Sequence, residues 1–273
     1  MNSTDYVPLV DTTRDELRAR IALARDRFDR LVRSADPFAT AGGCDWTVQQ
    51  IVAHVLTVAH RYRDFARQGD YQRAATPSGL AVLNQAELES ALAPVSELAD
   101  RLNDLAPEMD ELFDSIAGDP QTIPFHAGGA MDGVTAQTNW LGELTLHGYD
   151  AARAARLPWT LSERDMLLVA RGVMQIGPSY LRARVAPELD ICVEFRPPTA
   201  RPYVAHIHDG TLDMRLRRPS DRPDAVLRLP AATLTQLLYQ RVGPFGAVLR
   251  GLRIVGGRRP WFALKVMSYI EPA

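Results

Sequence analysis

Apolar residues recur at helical spacing through the first 157 residues, and the pattern changes after Pro158. Residues 12–34 open with a Thr cap signal and an early acidic pair. Leu17, Ile21, Ala24, Phe28 and Leu31 then form one stripe. Residues 35–45, with Pro37, Gly42 and Gly43, read as a loop. Asp45 or Thr47 caps a second helix over about 46–67, whose apolar set is Val48, Ile51, Val52, Val55, Val58, Ala59 and Tyr62. A connection over 68–79 leads to a third helical pattern from about 80 to 116, with Pro94 and Pro107 as points of bending or breakage. The Gly- and Pro-rich stretch 118–133 reads as a long loop. A fourth helix covers about 134–156 and ends before Pro158. Four helices with substantial connections predict a four-helix bundle, a fold that builds metal sites from facing helices.

After Pro158, LSERDMLLVARGVMQIGPSYLRARV reads as one or two helices. DICVEFRP, RPYVAHIHDG, TLDMRLRRP and DAVLRLP are short alternating runs separated by turn signals, and so read as strands. LPAATLTQLLYQRVG and PFGAVLRG read as helices, LRIVGG as a strand, and RPWFALKVMSYI as a final helix. The expected fold class is therefore α+β: a bundle over 1–157, then a smaller α+β domain over 158–273 with a mainly antiparallel sheet.

Composition changes this picture little. The hydrophobic share of 46% and charged share of 23% are those of an ordinary globular chain. A net charge of −2 gives no support for a nucleic-acid or membrane partner. Cys44 and Cys192 form no CxxC and read as free thiols. The N-terminus has no charged or apolar leader pattern, and no run approaches the ~20 apolar residues of a membrane span, so the expected location is cytoplasmic.

The candidate chemistry lies in WTVQQIVAHVLTVAH and NWLGELTLHGYD. The i, i+4 spacing puts Glu143 and His147 on one helical face about a turn apart. His54 on a facing helix would complete a His₂Glu set with one coordination position open, the plan of a catalytic zinc site. An ExxxH pair by itself is more often a solvated contact, and a histidine in an apolar run more often a satisfied core residue. The surroundings favour a metal: His54 sits among Ile51, Val52, Val55 and Leu56, and Glu143 and His147 among Leu141, Leu144 and Leu146. A carboxylate and two imidazoles near a core are costly unless paired or ligated.

CDWTVQQIVAHVLTVAHR resembles the second helix of the mycothiol-dependent maleylpyruvate isomerase group, within the wider DinB-like metal-binding bundles, and LGELTLHGYDAARA resembles its fourth helix. The resemblance covers roughly 10–157, and by it His54, Glu143 and His147 fall on the metal ligands. The second half, from DAVLRLPAATLTQLLYQ to LRIVGG, is similar to sterol-carrier-protein-2-like domains. The family implies a divalent metal, usually zinc, and mycothiol, the small-molecule thiol of actinobacteria. It also implies a catalytic arginine from the second domain, for which Arg241, Arg250 and Arg253 are the candidates by region. The implied activity is S-transfer from a zinc-bound mycothiol thiolate to a small electrophile. The alternatives are cis–trans isomerisation of the maleylpyruvate type, metal-dependent hydrolysis, and a non-catalytic module holding an apolar ligand. The protein would be a monomer or a homodimer.

Further polar residues take lesser roles. Asp150, a turn beyond His147, could orient a ligand histidine. Asn139 and Gln50, each a turn before a ligand, could face the thiol or substrate. His60 points away from His54 and reads as structural, and His126 reads as a solvated loop residue. His206 and His208 share a strand face but lack a third ligand nearby.

Overall fold

The computed structural model describes residues 7–41, 44–116 and 123–271. Gly42 and Gly43 of the expected first loop, residues 118–122 of the expected long loop, and the first six residues lie outside them. Backbone contacts divide the chain into two compact units. One is Thr12–His126 with Met131–Leu161, and the other is Ser162–Ala273 with the segments Met1–Asp11 and Ala127–Ala130.

The first unit is helical. α1 (Arg14–Ser34) starts at Thr13, whose hydroxyl accepts from the Glu16 N–H, and it buries Leu17, Ile21, Ala24, Phe28 and Leu31 along one stripe. The hairpin of β1 (Thr40–Ala41) and β2 (Cys44–Thr47) leads into α2 (Val48–Gln68). Thr47 and Gln50 close a reciprocal capping box at the start of α2, and Gly69, at φ 72°, ends it.

The long third pattern resolves into two helices, α3 (Pro77–Ala91) and α4 (Val95–Ile116). The chain breaks between Leu92 and Pro94 but runs on through Pro107. There one missing N–H is outweighed by a helix face that buries Leu98, Leu102, Met109, Leu112 and Phe113. After the short strands β3 (Ile123–Pro124) and β4 (Ala130–Met131), α5 (Gly133–Ala155) is capped by the Asp132 carboxylate and stopped by Arg156 in the left-handed region. α1 packs on α4 and α5, and α2 packs on α3, α4 and α5. The bundle is thus α1, α2, α4 and α5 around a core that includes Phe28, Leu56, Leu98 and Trp140, with α3 as an additional helix against α2.

The second unit begins with α6 (Glu163–Ile176). Its sheet contains β5 (Ile191–Arg196), β6 (Tyr203–His208), β7 (Thr211–Leu216), β8 (Ala225–Arg228) and β9 (Arg253–Gly256), in the order β7-β6-β5-β8-β9. Only β5 and β8 run parallel. Two further helices, α7 (Ala231–Leu238) and α8 (Pro244–Leu249), lie between β8 and β9. The N-terminal segment joins this unit through Arg201. Its N–H donates to the Leu9 carbonyl at 3.0 Å, and its guanidinium reaches the Pro8 carbonyl and the Asp11 carboxylate. The final helix expected over RPWFALKVMSYI is instead two 3₁₀ turns, Pro260–Leu264 and Val266–Tyr269. Pro260 starts the first turn, and single i→i+3 bonds such as Phe262 N–H to the Arg259 carbonyl replace an α ladder.

Candidate metal centre

α2 and α5 bring three ligand-type side chains together. The Glu143 Oε2 atom lies 3.3 Å from His147 Nε2 and 3.5 Å from His54 Nε2. One ligand atom from each of the three residues falls within 4.8 Å of the others, and no other such group occurs among the described residues. Ligand atoms about 2.0–2.1 Å from a tetrahedral centre lie about 3.3–3.4 Å from one another, so the observed spacing fits a shared cation. His54 and His147 are buried, and Glu143 is 18% exposed. Glu143 Oε2 and His54 Nδ1 are buried with no hydrogen-bond partner. An uncompensated buried carboxylate oxygen facing two imidazole nitrogens is costly, and a cation between them removes that cost.

The protonation states suit ligation. Burial lowers the His54 pKa, against the opposing pull of the Glu143 carboxylate beside it. For Glu143, burial pushes the carboxyl up, but the His147 and His54 imidazoles beside it pull it down further, and it stays ionised. A neutral His54 imidazole and an ionised Glu143 carboxylate are the forms that bind metal.

Around this trio the two histidines are supported differently. Asp150, buried on α5, places its Oδ2 3.5 Å from His147 Nδ1, in the position of a carboxylate that orients a ligand. The Trp46 ring, from β2, lies 4.8 Å from the His54 ring and 6.0 Å from the His147 ring, and its indole N–H donates to Gln85 Oε1 at 3.0 Å. Sequence reasoning did not single out Trp46. It belongs to a two-stranded hairpin rather than to the helical pattern, and only its place just before the Thr47 cap hints at the site.

The other candidate residues sort as follows. Gln50 Oε1 accepts from the Thr47 N–H at 2.9 Å in the capping box. The Asn139 amide lies 2.9 Å from the Tyr62 hydroxyl, which is also 2.9 Å from the Ala136 carbonyl. His60 is partly exposed, and burial still lowers its pKa. His126, expected to be solvated, is buried instead: its Nδ1 accepts from the Ala74 N–H at 3.0 Å, and its Nε2 lies 3.5 Å from Arg61 Nη1. Burial, then Arg61 and Arg73, pull its pKa down to about 3. Arg61, itself buried, binds Glu87 at 2.6 Å and Asn84 at 2.7 Å. His206 pairs with Asp190 at 2.8 Å, and His208 lies beside Asp209. Each arginine candidate in the second unit donates to nearby backbone: Arg241 to Tyr239, Arg250 to Gly246, and Arg253 to Val248 and Leu252.

Among solved structures, the chain is similar to one titled as the crystal structure of the mycothiol-dependent maleylpyruvate isomerase. The identity is 13% and the TM-score 0.53, over 85% of this chain and 93% of that one. A histidine-to-alanine mutant of that isomerase matches equally well. At this identity the likeness speaks for the fold. No curated protein matches the chain. Residues 21–152, which contain all three ligand candidates, match the family model described as the mycothiol maleylpyruvate isomerase N-terminal domain. Residues 21–152 thus belong to the mycothiol maleylpyruvate isomerase N-terminal domain family, and the solved isomerase shares the fold.

Proposed function

We propose that the protein is a metal-dependent enzyme that binds mycothiol and joins its thiolate sulfur to a small electrophilic substrate, the thiol proton being released. The observation that carries this reading is the His54–Glu143–His147 cluster, three candidate ligands with no fourth among the described residues, inside a domain of a mycothiol-named family. A divalent cation at that position, zinc by donor set, supplies the positive charge that lowers a thiol's pKa from about 8.5 toward neutrality.

The chain's own residues do the rest. His54, Glu143 and His147 hold the cation, and Asp150 keeps the His147 imidazole turned toward it. Trp46 lines one side of the two imidazoles, 4.8 Å from the His54 ring and 6.0 Å from the His147 ring. The Tyr62 hydroxyl, 2.9 Å from both the Ala136 carbonyl and the Asn139 amide, holds the Asn139 side chain one turn before Glu143. In this proposal the Asn139 amide, with the Gln50 amide, positions the incoming thiol or substrate.

Cis–trans isomerisation is the second reading, and the family's own description favours it. There the same thiol adds to carbon and leaves again after bond rotation.

The test is addition of mycothiol to the cobalt-substituted protein. The reading expects a sulfur-to-metal charge-transfer band, release of close to one proton per site below about pH 8.5, and turnover that saturates with thiol. A sulfur adduct accumulating as product identifies transfer; a sulfur-free isomer identifies isomerisation. Full turnover without thiol overturns both in favour of a water nucleophile.

A further inference from the structure

Ligand histidines are ordinarily held by a hydrogen bond from the second ring nitrogen to a carboxylate, a carbonyl or water. His147 has a carboxylate on that side, with Asp150 Oδ2 3.5 Å from its Nδ1. His54 does not: its Nδ1 is buried without a hydrogen-bond partner, so no polar contact at that nitrogen fixes the ring's rotation. What the ring does have is an aromatic neighbour. Trp46 lies 4.8 Å away, centroid to centroid, at an interplanar angle of 42°, on the strand that leads directly into α2.

Trp46 is itself held. Its indole N–H, which can only donate, reaches Gln85 Oε1 at 3.0 Å, and the Gln85 amide nitrogen donates to Glu89 Oε1 at 2.6 Å. The two bonds agree on which end of the Gln85 amide is oxygen. Gln85 is therefore committed at both ends to one orientation, and it hands that orientation to the indole. Both Gln85 and Glu89 sit on α3, the helix outside the four-helix core.

We infer that Trp46, fixed by Gln85, is the positioning residue for His54. Ring packing on the indole takes the place of the absent second-nitrogen hydrogen bond and sets the direction of His54 Nε2. The inference rests on the metal reading above. It assigns to α3 a part in metal affinity although α3 contributes no ligand.

The test is zinc affinity by competition with a chromogenic chelator, on the full chain. Trp46→Ala is expected to weaken zinc binding about 10–100-fold, the usual effect of losing a ligand's support. Trp46→Phe, which keeps a ring, is expected to recover most of it. Gln85→Met keeps the indole but removes its acceptor, and is expected to cost about fivefold, the equivalent of one ordinary hydrogen bond. In a His54→Ala background, Trp46→Ala should change residual metal binding no further, which a merely structural role for the indole would not reproduce. Circular dichroism checks that each variant is folded, and Gln85→Met carries the test if Trp46→Ala is not. Unchanged zinc affinity in both Trp46→Ala and Gln85→Met, with wild type binding normally, overturns the inference alone. Absence of zinc binding by wild type overturns the metal reading and the inference with it.

Discussion

Gly148, the residue after the ligand His147, offers a sharp test of how α5 is packed. A Cβ built there would lie 2.3 Å from Trp159 Cζ2 and 2.6 Å from Cη2, distances no relaxed structure tolerates. The ring cannot simply step aside. Its N–H donates to the Thr145 carbonyl at 3.1 Å, and the Arg27 guanidinium sits 4.2 Å above its centroid. Expelling the ring would forfeit about 1 kcal/mol of hydrogen bond, about 0.5–1 kcal/mol of cation–π attraction, and about 2 kcal/mol of apolar burial for a half-buried indole. Squeezing it in place costs about 1–3 kcal/mol. The protein adopts the cheaper response, and the better helix propensity of alanine returns about 1 kcal/mol. Gly148→Ala is therefore expected to destabilise by up to about 2 kcal/mol, or up to about 6 °C in Tm for a unit of this size. Thermal and urea unfolding followed by circular dichroism measure it. The same substitution in a Trp159→Ala background should reverse sign and stabilise by up to about 1 kcal/mol, since the clash is gone and only the propensity gain remains. An equal penalty in both backgrounds would refute the packing argument.

Two further outcomes follow from the buried polar network beside the site. The His126 pKa is depressed to about 3 in the folded protein against about 6.5 when unfolded, so the unfolded chain binds the extra proton first. Its contribution to stability is complete above about pH 6.5 and is lost as pH falls from there toward 3; His126→Gln should flatten that part of a stability-against-pH profile measured by urea titration. Arg61→Met should destabilise by about 3 kcal/mol in the same titration, because it strands Glu87 and Asn84, whereas a loss under about 0.5 kcal/mol would mean the pair contributes nothing.

Much of this was legible in the sequence because local signals and tertiary structure agree. The stripe Leu17, Ile21, Ala24, Phe28 and Leu31 is buried as its spacing requires, and Thr47 caps α2 as its side chain invites. Glu143 and His147 share a face by helix geometry alone. The departures arise where long-range packing decides. Pro94 and Pro107 look alike in sequence, yet only the first coincides with a break, because the face around Pro107 is held by its burial. His126 sits in a polar, glycine-rich context that suggests solvent, and it becomes buried through Arg61 and the Ala74 backbone, neither of them its neighbour in the chain. Trp46 was invisible as a site residue because its role depends on α3 supplying Gln85 from 39 residues away. The final segment has helical composition, but Pro260 and a succession of short i→i+3 bonds make it two turns.

The central claim is that His54, Glu143 and His147 hold a divalent metal, and metal content measured alongside X-ray absorption tests it most directly. After reconstitution with zinc and removal of excess, wild-type protein should carry about one zinc per chain. Its nearest shell should fit two nitrogens and one protein oxygen at about 2.0–2.2 Å. His54→Ala, Glu143→Ala and His147→Ala should each lose most of the metal while keeping the helical circular dichroism of the parent. Wild-type protein with metal content near zero, or with zinc retained undiminished in all three variants, would contradict the account.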